Sequence, residues 1–311
     1  MSGYVLAVDV GGTKLAAALV DGAGRLTGYR RMATPSGPYV GADDLWRALT
    51  ELLDEVAGRV VPVGVGVGCG GPMIWPDGDV SPLNIPSWRR FPLRARLAER
   101  YPGVPVRVHN DAVCVAVAEH WLGAGKGRRN VLGMVVSTGV GGGLILDDRL
   151  ITGASGNAGH VGHIVVEPEG PPCACGGRGC LEAVARGPGL VAWAQAHGWR
   201  TGEEMSGVDL AADARRGVPS AVRALRRAGG ALGVAIASAT HLCDLDVVAI
   251  GGGLSQAGEP LFGPLAAALR AHARMPFAAR VEVVPAALGQ GAGLVGAAAL
   301  VLAGDRYWPA P

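Results

Sequence analysis

One pattern occurs twice in this chain. Val5-Leu6-Ala7-Val8-Asp9-Val10 reads as an apolar strand, Gly11-Gly12-Thr13-Lys14 as a turn, and Leu15 to Val20 as a returning strand that closes on Asp21-Gly22. Val131 to Val136, the turn Ser137-Thr138-Gly139 and the strand Gly142 to Leu146 repeat that rhythm and close on Asp147-Asp148. Two apolar runs joined by a short glycine-containing turn form a hairpin. A hairpin that recurs with its neighbourhood outranks local propensity, because it sets the architecture of both halves. The expectation is a duplicated α/β fold, two lobes around a ligand cleft.

The segments between and after the hairpins fit that plan. Asp43-Asp44 should cap a helix whose apolar face is Leu45, Leu49, Leu52, Leu53 and Val56. A strand is expected over 61–67, then the glycine loop Gly68-Cys69-Gly70-Gly71-Pro72, a helix from Pro92 to Arg100 and a strand from Val104 to Val108. That strand ends at His109-Asn110-Asp111, and Ala112 to Leu122 reads as a helix. Beyond the second hairpin come a long helix (220–241), a strand (245–250), the loop Gly251-Gly252-Gly253, a strand (281–284) and a closing small-residue helix (288–302). The expected division is an N-terminal lobe of residues 1–112, completed by the C-terminal helix from about 298 to 311, and a C-terminal lobe of residues 113–297.

Composition excludes several classes of function. Of 311 residues 49% are hydrophobic and 17% charged, which argues for a packed core and against disorder. The net charge is +2, and Arg128-Arg129 and Arg226-Arg227 are isolated pairs, so no nucleic acid partner is expected. Asp9 interrupts the first apolar run, which is no secretion signal. The least polar stretches, 228–239 and 294–303, fall short of the ~20 residues a membrane span needs. A cytoplasmic protein without a membrane partner is expected.

The turns carry the chemistry. In Asp9-Val10-Gly11-Gly12-Thr13-Lys14, glycine amides can face an anion, Thr13 adds a hydroxyl and Lys14 a positive charge. Asp9, at the end of the strand, suits Mg²⁺ held through water beside nucleotide phosphates. The second turn, with Thr138 and Gly139, is followed by Gly141-Gly142-Gly143, a glycine density that close approach of backbone amides to phosphates would explain. Gly252 and Gly253 stand between a strand and a helix, where a nucleotide's ribose and base can approach. Asp111 sits at a strand end and can accept the proton of an attacking hydroxyl, with Asn110 binding a neighbouring one. An Asn-Asp pair ahead of a helix is equally well placed to act as its cap.

Three of six cysteines fall within eight positions. His163, Cys173, Cys175 and Cys180 form His-x9-Cys-x-Cys-x4-Cys in a Gly- and Pro-rich loop. One imidazole and three thiolates complete a tetrahedral Zn²⁺ site with no open position, so the zinc should be structural and a zinc hydrolase is disfavoured.

Taken together these motifs resemble the ROK family of sugar kinases and related repressors. The resemblance runs through Asp9 to Lys14, Asn110-Asp111, the loop from Ser137, Gly159-x-x-Gly162-His163, the run from Cys173 to Glu182 and Gly251 to Gly253. It implies an actin-like (ribonuclease H-like) duplicated fold, ATP with Mg²⁺, and transfer to a hexose hydroxyl, usually at C6. It further implies Asp111 as base and Asn110, His163 and Glu182 as sugar contacts, with Gly71 and Asn84 on the sugar side. One departure stands out: glucokinases of the family typically carry Glu where this chain has His160. The imidazole changes what the sugar's C1–C2 region can meet, and the surrounding stretch is more similar to bacterial N-acetylmannosamine kinases. The expected acceptor is therefore an amino sugar such as N-acetylmannosamine or 3-amino-3-deoxyglucose, with glucose as the alternative. A sugar-responsive repressor is the rival reading; such relatives carry a helix-turn-helix ahead of the first hairpin, which here begins at Tyr4. The resemblance also implies a dimer or tetramer.

Overall fold

The computed structural model describes residues 3–200 and 205–308. The start inspected for a signal and the last three positions of the C-terminal segment lie partly or wholly outside the described residues. Strands β1 (Val5–Val10) and β2 (Lys14–Val20) make the first hairpin, with Val10 opposite Leu15 and Val5 opposite Val20. Strand β3 (Leu26–Ala33) pairs antiparallel with β2 and is exposed along nearly all its length, so no apolar rhythm marks it. Helix α1 (Ala42–Ala57) buries Leu45, Leu49, Leu52, Leu53 and Val56, the face its periodicity picks out. Its cap differs from expectation: Gly41 is the N-cap, and Asp44 accepts a hydrogen bond from the Gly41 N–H at 3.0 Å from within the first turn. Strand β4 (Gly64–Cys69) begins later than the expected 61, since Pro62 has no N–H to give to a ladder and Val61 is exposed.

Three two-residue strands, β5 (Met73–Ile74), β6 (Asp79–Val80) and β7 (Phe91–Pro92), form a small antiparallel sheet. Helix α2 (Leu93–Arg100), strand β8 (Val106–Asn110) and helix α3 (Asp111–Trp121) follow. The second hairpin is β9 (Val131–Val136) and β10 (Val140–Leu146), extended by β11 (Arg149–Leu150). Then come helices α4 (Leu181–Ala185), α5 (Gly187–Ala196), α6 (Gly207–Arg215) and α7 (Pro219–Cys243). Strand β12 (Val247–Gly251), helix α8 (Glu259–His272), strand β13 (Glu282–Pro285) and helices α9 (Ala292–Leu302) and α10 (Gly304–Tyr307) complete the chain.

The duplication is visible in strand order. One five-stranded sheet runs β3-β2-β1-β4-β8 and the other β11-β10-β9-β12-β13. In each, the first strand of the hairpin pairs parallel with a later strand, β1 with β4 and β9 with β12, and a further parallel strand closes the edge. This is the mixed α/β, actin-like order that the repeated hairpin implies. The chain forms two compact units: Met1–Lys126 with Gly143–Gly159 and Gln290–Pro311, and Gly127–Gly142 with His160–Gly289. Helix α3 thus stays whole in the first unit, where the sequence-based division at 112 would have cut it off, and the C-terminal return starts at 290 rather than about 298.

Within the first unit, α9 lies against both the sheet and α3. Gly66 of β4 meets the carbonyl of Ala297, and Gly296 of α9 meets the carbonyl of Cys114 on α3. At either glycine a methyl group would overlap backbone, an overpacking strain of about 1–3 kcal/mol. At the far end of α3, buried His120 bonds the Tyr307 hydroxyl at 2.7 Å and stands 3.3 Å from Asp148. The helix that begins at Asp111 is therefore fixed along its length.

Candidate active site

The carboxyl ends of β1, β4 and β8 stand side by side, with Val10 in register with Cys69 and Cys69 with Asn110. Ligand sites of open parallel sheets lie at this edge. Asn110 is the N-cap of α3: its Oδ1 accepts from the N–H groups of Ala112 at 3.0 Å and Val113 at 3.4 Å. The cap reading and the ligand reading are therefore compatible only through the amide NH₂, since the oxygen is committed to the helix. Asp111 opens the helix, half-buried, with Oδ1 accepting from Ala112 N–H at 2.8 Å.

Asp9 faces the same corner. Burial, then the neighbouring Asp111 carboxylate, push its pKa up from 3.8 to about 6, and Lys14 opposes the rise from 3.9 Å. Burial and these same two carboxylates hold the Cys69 and Cys114 thiols far above their ordinary range, so neither is a nucleophile.

The first turn packs onto this edge. Gly11 N–H bonds Lys14 O at 3.0 Å, while the Thr34 hydroxyl donates to Gly11 O at 2.6 Å; Thr13 and Lys14 are exposed. The Asn84 side chain lies against Gly12 and Gly70, 2.6 and 3.3 Å from where a Cβ would stand on each. Leu83 N–H bonds Gly71 O at 3.2 Å. Asp9, Gly11 to Lys14, Gly71, Asn84, Asn110 and Asp111 thus belong to one neighbourhood of the first unit.

The second unit gathers another group. Ser137 N–H closes onto Gly139 O at 2.8 Å, leaving Thr138 exposed at the tip of the turn. Gly252, at φ +92°, lies so close to the backbone of Val136 that a side chain has no room, and Gly253 stands 3.8 Å (from its Cβ position) from Ser137 Oγ. The Thr138-Gly139 turn and the Gly252-Gly253 run therefore share a corner. Glu182 joins them: its Oε2 accepts from Val140 N–H at 3.0 Å, beside Gly139. Packing also contributes to the glycine density after the turn. Gly141 to Gly143 belong to strand β10, and Gly143 is small because Val113 and Ala116 of α3 press on it, each 2.8 Å from its Cβ position.

The cysteine loop is a knuckle. Cys173 N–H bonds Gly177 O at 2.9 Å and Gly176 N–H bonds Cys173 O at 3.0 Å. His163 Nδ1 is 3.8 Å from Cys173 Sγ, Cys175 Sγ is 3.8 Å from Cys180 Sγ, and one ligand atom from each of the four residues lies within 4.8 Å of the others. A tetrahedral ion bound at ~2.3 Å from sulfur spaces its ligands by just such a distance. Gly177 N–H also donates to Cys175 Sγ at 3.4 Å, support for a thiolate ligand. The donor set fits zinc. His160 stacks near His163, with ring centroids 6.2 Å apart and planes at 15°.

Three contacts escape sequence reading. Thr34 braces the first turn from an exposed strand's end, Asn157 grips the backbone of Met73 (Nδ2 to O, 3.0 Å), and Glu182 is bonded to the second turn. Each joins positions distant in sequence, and none has a periodic or spaced signature.

Asp9 generates a pH prediction. The folded chain holds this proton more tightly than the unfolded chain, so stability falls as pH rises from about 4 to about 6. The rise is worth up to about 3 kcal/mol. Asp9→Asn should therefore gain on the wild type by up to that amount between pH 4 and pH 7.5 in denaturant unfolding. A stability difference that stays constant over this range would refute the assignment.

The ROK family model matches residues 5–303. The glucokinase of Thermotoga maritima is 35% identical over 312 residues, 96% of either chain, and the N-acetylmannosamine kinase of Citrobacter koseri 37% identical over 305 residues, 97% of this chain and 99% of its own. Among solved structures, a ROK family glucokinase from Streptomyces griseus in complex with glucose and AMPPNP superposes with a TM-score of 0.83 at 33% identity, covering 96% of this chain and 99% of that one. The chain belongs to the ROK family.

Proposed function

We propose that this protein is an ATP-dependent kinase that phosphorylates a hexose at its 6-hydroxyl. The observation that carries the reading is the pairing of Asp9 and Asp111 at one sheet edge beside the Gly11–Lys14 turn. Asp111 accepts the proton of the sugar hydroxyl as its oxygen attacks the γ-phosphorus in line, and ADP departs. Asn84, Asn110 (through its NH₂), His160, His163 and Glu182 are the residues assigned to the acceptor sugar. Thr13, Lys14, Thr138 and Gly139 bind the phosphates, and Gly252 and Gly253 the ribose and base. Mg²⁺ carried in with the nucleotide supplies charge neutralisation at the phosphates, and Asp9 is the residue that would hold it.

His160, in place of the glutamate usual in the family's glucokinases, favours an amino sugar such as N-acetylmannosamine or 3-amino-3-deoxyglucose. Relatives named glucokinase support glucose as the second reading. Retention of Asp111 and the lack of a dense basic stripe support an enzyme over a DNA-binding regulator. No helix among the described residues is long and apolar enough to cross a membrane. The cytoplasm is the location proposed with the kinase reading. We extend the family's dimeric or tetrameric habit to this chain.

An ATP-coupled assay across glucose, mannose, N-acetylmannosamine, N-acetylglucosamine and 3-amino-3-deoxyglucose tests the substrate. An amino sugar should give the highest kcat/KM; clear preference for glucose would overturn the role given to His160, and turnover of none would overturn the kinase. His163, Cys173, Cys175 and Cys180 are assigned a structural Zn²⁺. Elemental analysis should find one zinc per chain, with chelation lowering Tm; a metal-free chain of unchanged Tm would remove the zinc from the account.

A further inference from the structure

Beside the knuckle the second unit contains a 440 Å³ pocket to which no role has been given so far. It lies between the cysteine loop and helices α4, α5 and α7, and its size suits one small ligand. Pro171 and Pro172 supply an apolar wall. Opposite chemistry comes from two guanidinium groups, Arg186 and Arg227, and one carboxylate, Glu182. Arg227 is held in place: it pairs with Glu167 at 2.6 Å and lies 5.5 Å over the ring of Trp193. Trp193 is fixed in turn by stacking on His197 at 3.8 Å. Arg186 is exposed and has no carboxylate within ion-pair distance among the described residues, so the pocket keeps a positive charge to offer.

Such a lining selects its occupant. A guanidinium without a partner attracts phosphate or carboxylate in a forked geometry. Glu182 accepts hydroxyl hydrogens, and the proline surfaces suit the carbon face of a ring. A neutral sugar leaves Arg186 unused, and a bare anion leaves the apolar walls and Glu182 unused. We propose that this pocket is a second sugar site that takes an anionic pyranose, a sugar phosphate or a sugar acid, and that its occupant shares Glu182 with the acceptor sugar. The sharing rests on the acceptor role given to Glu182 above. Because one carboxylate serves both ligands, each weakens the other, and by the same factor. A product-like sugar phosphate would thereby restrain the enzyme when it accumulates.

Calorimetric titration of the nucleotide-free protein tests this, with glucose 6-phosphate, glucuronate and inorganic phosphate as probes. Wild type should bind both sugar anions, and inorganic phosphate at least tenfold more weakly. Arg186→Gln should weaken both sugar anions at least tenfold, and Arg186→Lys, which keeps the charge but loses the fork, should recover only part of the affinity. Saturation with the best acceptor of the kinase panel should weaken glucuronate binding. No sugar-anion binding, binding untouched by Arg186→Gln, inorganic phosphate as tight as glucose 6-phosphate, or glucuronate binding indifferent to the acceptor would each overturn the proposal. If no hexose is phosphorylated yet Arg186-dependent binding persists, the kinase reading fails and the anion pocket stands.

Discussion

Backbone lies on backbone where β4, α9 and α3 meet, and the placement of Asp111 depends on that contact. Helix α9 reaches the sheet through Gly66 and reaches α3 through its own Gly296, each touching a carbonyl. No side chain separates these elements, so α3 has one depth and one direction relative to β8. Interiors packed at this density do not deform continuously. The chain's last long helix thus sets the position of a carboxylate more than 180 residues earlier in sequence, which explains why the C-terminal return belongs to the first unit.

Electrostatics then gives that corner its character. Two carboxylates, Asp9 and Asp111, face one corner where burial already disfavours charge on Asp9, and Lys14 is exposed at 3.9 Å from Asp9. A partly desolvated like-charge pair is strained until a cation joins it. A metal brought in with the nucleotide would relieve that strain, and Asp9 is the residue that would hold it. In the second unit Glu182 is tied to the turn after β9 through Val140 and follows directly on the cysteine knuckle. Fixing the knuckle with a metal would therefore fix the carboxylate as well.

Much of this was legible in sequence for identifiable reasons. The repeated hairpin announced both sheets because turn residues and apolar alternation are local signals, and the five buried positions of α1 followed from a 3.6-residue period. The cysteine knuckle was legible because ligand spacing is a stereochemical demand. What was not legible depends on contacts far apart in sequence or on absent patterning. Strand β3 has no buried face to betray it. The role of Asn110 as cap and the packing of Gly143 under α3 are three-dimensional facts with no local signature.

The central claim, that one carboxylate at the head of α3 removes the acceptor's proton, is tested most directly by steady-state phosphorylation with Asp111→Asn alongside a thermal unfolding scan. The account predicts a fall in kcat/KM of about 10²–10⁴-fold with Tm nearly unchanged, because the Asn side chain can still accept from Ala112 N–H. Turnover close to wild type by a folded Asp111→Asn protein would contradict it.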